Sequence, residues 1–102
     1  MGTRADLGKV FAEEVGLGKN VYFQPPPNIQ MTYPCIIYHL ATIDSEHANN
    51  NPYAWRRRYT VTLIDRNPDS EYVDKILSIP TCAFDRSYVS ENLNHWVFII
   101  YA

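Results

Sequence analysis

Near the start of the chain, apolar residues recur at three- and four-residue steps. Leu7, Val10, Phe11 and Val15 form one stripe, which predicts an amphipathic helix. Thr3 is placed to cap it, Asp6 stands three residues on as a weaker capping box, and Gly16 is placed to stop it. Gly8 inside the pattern costs about 1 kcal/mol relative to alanine. The period then changes. "NVYFQ" from Asn20 predicts a short strand. From Cys35, the residues Ile36, Tyr38 and Leu40 alternate with Ile37, His39 and Ala41, as in a strand buried on much of both faces. A polar stretch, "DSEHANNNPYAW", precedes "RRRYTVTLID", where Tyr59, Val61 and Leu63 alternate with Arg58, Thr60 and Thr62. These two apolar runs predict a hairpin whose loop exceeds the common length of about two to five residues.

"NPDSEYVDKILSIP" predicts a second helix, with Asn67 as cap, Pro68 in the first turn, acids near the N-terminal end and Pro80 as terminator. Its buried stripe is Val73, Ile76 and Leu77. "CAFDRSYV" and "HWVFIIYA" predict two further strands around the turn "SENLN". In the last strand Trp96, Phe98 and Ile100 face one way, and Val97, Ile99 and Tyr101 face the other. So apolar a strand belongs in the interior of a sheet. The order is α-β-β-β-α-β-β. An α+β fold follows: a largely antiparallel sheet of about five strands, with two helices packed on one face. The opposite sheet face is expected to be aromatic and uncovered within the chain, which points to association with other copies or partners.

The 102 residues fit one domain, residues 1–102, and 46% hydrophobic content suits a packed core. A formal charge of −2 supplies no broad positive field for nucleic acid or an anionic membrane. Apolar runs fall short of the ~20 residues of a membrane span, and no secretory signal pattern opens the chain. Cys35 and Cys82 lack CxxC spacing and sit among apolar residues, so reduced, buried thiols are expected, although a disulfide remains geometrically open. All four glycines fall within the first 18 residues, which removes the usual device for cradling phosphates from the rest of the chain. "GLGKN" is no P-loop: Glu13 stands where the first glycine belongs, and Asn20 where Ser or Thr should follow Lys19.

Candidate chemistry is sparse. Asp44, Glu46 and His47 form a weak potential metal cluster, without HExxH or paired Cys/His spacing. Cys35 or Cys82 with His39 could supply a nucleophile and base, but these positions read better as strand packing. The carboxylates are scattered, so general acid–base catalysis has no anchor. No catalytic, metal or cofactor site is expected. Protein contact is the better reading of Tyr53, Trp55, Arg56, Arg57 and Arg58, because aromatics and arginine are enriched at interface hot spots. Pro25, Pro26 and Pro27 fix their own φ angles and donate no amide hydrogens. The segment should run along a sheet edge or into solvent, either as a preorganised contact arm or as a plain rigid connection.

The segments "NVYFQPPPNIQMTYPCIIY", "RRRYTVTLIDRNPDSEYVDKI" and "FDRSYVSENLNHWVFIIY" together resemble a family of small tailed-bacteriophage proteins. Its members are labelled tail terminator, tail completion or minor structural protein. The resemblance spans nearly the whole chain. It is most specific at Tyr22 to Pro26, at the Asp65 to Asp69 turn, at Phe84-Asp85-Arg86, and at Asn92-Leu93-Asn94-His95. It implies a non-enzymatic virion subunit at the head–tail junction, made in the bacterial cytoplasm. Such subunits assemble as a ring, commonly a hexamer, that caps the tail tube and meets a head–tail connector or stopper protein. DNA passes through the ring without being bound specifically. On this resemblance the loop from Asp44 to Arg58 reaches a neighbouring subunit or the tail tube. The rival reading is a small non-enzymatic protein-binding module that uses the exposed aromatic sheet face.

Overall fold

The computed structural model describes residues 4–25, 30–46 and 54–101. The chain forms an α+β fold: helix α1 (Arg4–Lys9) running on into a π-helical turn (Val10–Glu14), strands β1 (Val21–Phe23), β2 (Cys35–Glu46) and β3 (Ala54–Asp65), helix α2 (Tyr72–Leu77), and strands β4 (Cys82–Ser90) and β5 (Leu93–Tyr101). The sheet order is β1-β2-β3-β5-β4. Every neighbouring pair is antiparallel except β1–β2, which is parallel. As its apolar pattern predicts, β5 lies inside the sheet, between β3 and β4.

Both helices cover the same face. Leu7, Phe11 and Val15 from the first helical segment, Leu17 just after it, Ile76 from the second helix and Ile79 just beyond that share one core with Ile36, Tyr38, Tyr59, Val61, Leu63, Phe98 and Ile100. Three ring contacts order its centre: Phe11 and Phe23 each meet Tyr38 edge-on, at 5.2 and 5.0 Å, and Tyr59 lies 6.3 Å from it. Such pairs add about 0.5–1.5 kcal/mol beyond their buried area.

Gly8 has a packing reason. A Cβ there would lie 2.7 Å from Tyr38 Oη, so the glycine lets α1 approach the sheet. Tyr38 is only 4% exposed and is hemmed in by three rings, so it has little room to yield. Gly8→Ala, a gain in an isolated helix, should therefore destabilise this protein by about 1–3 kcal/mol, measured by urea unfolding. In the Tyr38→Phe background the penalty should shrink, and an equal penalty there would mean the contact is not its cause.

The second helix departs from expectation. Asn67 caps a turn instead of the helix: its amide accepts from the Asp69 N–H at 3.0 Å, while its own N–H donates to Asp65 Oδ1. The helix starts only at Tyr72, after Pro68, and Leu77 is 40% exposed. Ile79, beyond the helix, takes the buried place instead. Acids and Pro–Asn chemistry suit a turn as well as a helix start, and here the turn wins.

The β4–β5 turn places Glu91 and Asn92 at φ 53° and 63°, the two-residue hairpin geometry that asparagine tolerates. Gly16, at φ 95°, ends the first helical segment.

Candidate interface surfaces

The hairpin of β2 and β3 is longer than the apolar alternation indicates. Pairing continues from Thr42↔Arg58 to Glu46↔Ala54, past a bulge between Leu40 and Thr42. Residues Asp44–Glu46 and Ala54–Trp55, which read as loop from their polarity, are therefore strand. β5 pairs with β3 only as far as Arg58↔Tyr101, and β1 pairs with β2 only through Ile36 to Tyr38. Beyond these limits, among the described residues, the two strands pair only with each other. They form a projecting arm, roughly 15 Å long at about 3.4 Å per residue. The radius of gyration, 14.5 Å, exceeds the ~13 Å usual for a 100-residue domain, and the long axis measures 49 Å against 25 and 24 Å across.

Trp55, Arg56, Arg57 and Arg58 all belong to β3, and the last of them stands where the arm leaves the sheet. Arg57 is exposed and Arg58 half-buried. Tyr53 lies outside the described residues, as do Pro26 and Pro27. Pro25 is half-buried just after β1, which is an edge strand. The connection from Gln24 to Pro34 also has a topological task. Because β1 and β2 are parallel neighbours, it must carry the chain back along the strand length. Gln24 extends the edge locally at φ 45°: its N–H donates to the Tyr38 carbonyl, and its Oε1 accepts from the Leu40 N–H at 3.4 Å. Nothing in the pattern marks this latch except the position of Gln24 at a strand end.

At the far edge, β4 is exposed along nearly its whole length, with Phe84, Tyr88 and Val89 at 49, 44 and 68%. A second bulge, between Phe84 and Arg86, interrupts its pairing with β5. Apolar alternation correctly predicted this strand but not its exposure, because edge position depends on strand order.

The face away from the helices differs from the aromatic surface expected. Register places Ile37, Thr60, Thr62, Val97 and Ile99 at its centre, with Tyr22, Tyr88 and Tyr101 towards its margins. Cys35, Ile64 and Val97 are buried there, and Ile37, Ile99 and Tyr101 are half-buried. Most of the large rings, including Phe23, Tyr38, Tyr59, Trp96 and Phe98, lie on the helix-covered face. The alternation of β5 was read correctly. The assignment of faces required to know which side the helices take.

At the end of the sheet opposite the arm, Asn94 Nδ2 donates to the Asp65 and Arg66 carbonyls at 3.3 and 3.2 Å. His95 stacks on Tyr88 at 4.6 Å, and the Arg66 guanidinium lies 5.9 Å from the Tyr33 ring centre.

Cys35 and Cys82 are free thiols on opposite faces of the sheet, which excludes a bridge between them. Burial pushes both up to about 11, with the Asp65 carboxylate adding to the effect at Cys35. Neither supplies a thiolate nucleophile at neutral pH. Asp44 and Glu46 belong to β2, and His47 lies outside the described residues. Among the described residues no three His, Cys, Asp or Glu side chains converge as a metal site, and no helix is long and apolar enough to cross a membrane. Compared with protein-family models, curated proteins and solved structures, the chain matches none.

Proposed function

We propose that the chain is a ring-forming structural subunit of a tailed-phage virion: a tail terminator or tail completion protein that caps the tail tube and joins it to the head connector or stopper. Copies made in the bacterial cytoplasm assemble into a ring, a hexamer on the family resemblance, whose bore passes DNA without binding its sequence. The subunit has no catalytic role. The arm carries this reading. A two-stranded hairpin standing alone is marginally stable in water, and this one also exposes Ile43, at 50%. Such an element is stabilised when a neighbour covers it. The arm also holds Trp55 and Arg57, residue types that serve as interface anchors.

A second reading, a small protein-binding module, draws on the half-buried Ile37, Ile99 and Tyr101 of the open face. It requires a monomer or dimer, whereas the ring reading requires closed heterologous contacts. Negative-stain imaging of the purified protein, alone and mixed with tail tubes, separates the two. Rings seated on one tube end are the expected result, with Trp55→Ala lowering the fraction of headed particles. A protein that stays monomeric or dimeric and leaves tube ends bare would sink the ring reading.

A further inference from the structure

Among the described residues the sheet has two edges without a strand partner, on opposite sides. One is the outer edge of β2 beyond Tyr38, where β1 has ended. The other is β4, the last strand of the sheet. We infer that, in the ring assigned above, on which this inference rests, the free edge of upper β2 pairs with β4 of the next copy, so that one sheet continues from subunit to subunit.

The two edges match in three respects. Apart from the Leu40 N–H, which Gln24 Oε1 takes, each offers backbone donors and acceptors with no strand partner among the described residues, the feature on which strand addition depends. Neither carries a proline within the strand to block pairing. Second, their exposed apolar side chains lie on the same side. Leu40 is registered with Tyr59, and Phe84 with Phe98, both on the helix-covered face. Past the bulge, Thr42 is registered with Arg58 and Ile43 with Arg57, so Ile43 returns to the helix side. Ser87 is registered with Trp96 and Val89 with Asn94, so Val89 is on the helix side as well. A sheet continued with all helices on one side would therefore set Leu40 and Ile43 of one copy beside Phe84 and Val89 of the next. These four side chains, 37, 50, 49 and 68% exposed in the single subunit, would cover one another.

Third, the charges are complementary. Arg57 shares the helix side of the arm with its cross-strand partner Ile43 and is exposed. The helix that covers β4 on that side is α2, and Asp69, Glu71 and Asp74, in and just before it, are all exposed. Arg57 arriving over Asp69, Glu71 and Asp74 favours this pairing over two β4 edges meeting, which would bring those acids together. The contact is heterologous, because the two edges differ. Repeated with a rotation that closes, it generates a ring rather than an isologous dimer.

The test uses full-length protein in a Cys82→Ala background, with Ile43→Cys and Val89→Cys on differently tagged copies and a short bifunctional maleimide reaching roughly 8 Å, the diagonal spacing across paired strands. Mixed copies should cross-link at least about tenfold faster than either alone, and the double variant should give a ladder ending at the ring. Val89→Cys cross-linking to itself as fast as to Ile43→Cys would overturn the assignment in favour of a β4–β4 dimer. Rings seen by light scattering and imaging without the mixed cross-link would overturn the strand pairing and leave the ring reading standing. A monomer mass with no cross-link would remove both. Independently, Val89→Lys adds a charge to an edge already largely exposed. It should weaken assembly about tenfold or more, equivalent to about 1.4 kcal/mol, with the melting temperature unchanged. Undiminished assembly would count against the pairing.

Discussion

Phe98→Ala is expected to lower stability by about 3–5 kcal/mol, the usual loss when a buried phenylalanine leaves a cavity. Phe98 is fully buried on an interior strand, registered with Val61 on one side and Phe84 on the other, and its ring meets Phe84 edge-on at 5.7 Å. The strands around it are fixed by two ladders, so the site has little freedom to collapse. In a domain of this size each kcal/mol moves the melting point by about 4–8 °C, so a drop of roughly 15–30 °C follows. Out of a total of about 5–15 kcal/mol, that leaves a marginal fold. Phe84→Ala is the internal control. It removes the partner ring from an exposed edge, 49% accessible, and should cost about 1 kcal/mol. Thermal melts followed by circular dichroism compare the two. Equal losses at both positions would mean that Phe98 is not in the core.

That contrast shows how far periodicity reaches. The alternation Trp96-Phe98-Ile100 against Val97-Ile99-Tyr101 identified both faces of β5 and its interior position, because a strand apolar on both sides must be flanked on both sides. The same reasoning could not separate Phe84 from Phe98. Each is an aromatic residue in an alternating run, and only the order β1-β2-β3-β5-β4 makes one an edge and the other a centre. The arm was hidden for a different reason. "IDSE" and "AWRR" carry the polarity of a solvated segment, yet they pair as strand. Polarity was silent about pairing. In the first helix, by contrast, Leu7, Phe11 and Val15 are buried as the stripe predicts, since a helix lying on a sheet has a single inner face.

Several of the residues on which the proposed phage-protein likeness rests lie at irregular places among the described residues. Tyr22 to Pro26 includes the Gln24 latch on the β2 edge. The turn from Asp65 to Asp69 and the step at Asn94 meet, since Asn94 holds the Asp65 and Arg66 carbonyls. Phe84-Asp85-Arg86 spans the bulge of β4. Bulges, latches and turns restrict residue type more tightly than regular strand does, because each places a particular backbone group where one side chain can satisfy it. They also set the course of the sheet edges: the Gln24 latch extends the β1 edge along β2, and the bulge interrupts the pairing of β4. The proposed contact residue Arg57, which is exposed, needs only a suitable charge.

Deleting the arm isolates its role from that of the fold. Joining Leu40 directly to Tyr59 through an Asn-Gly turn keeps the cross-strand pair that precedes the bulge and supplies the tight hairpin that this dipeptide favours. Of the residues this removes, 41–58, those whose side chains are described, Ala41, Thr42, Ile43, Arg57 and Arg58, lie outside the buried core, so the melting temperature should stay within about 5 °C of the parent, a change of about 1 kcal/mol. The hydrodynamic radius should fall as the long axis shortens. Assembly, however, should be abolished, because the deletion removes Ile43, Trp55, Arg57 and the free β2 edge together. Light scattering at concentrations where the parent forms rings is expected to give a monomer mass, and a virion built with the shortened subunit should accumulate unjoined heads and tails. The two readouts constrain one another. Loss of assembly with a lowered melting point would implicate the fold, whereas loss at constant stability assigns the arm to contact between subunits. If rings persisted without it, the ring would have to close through the open sheet face, where Ile37, Ile99 and Tyr101 are half-buried, and the arm would be left to reach the tail tube instead.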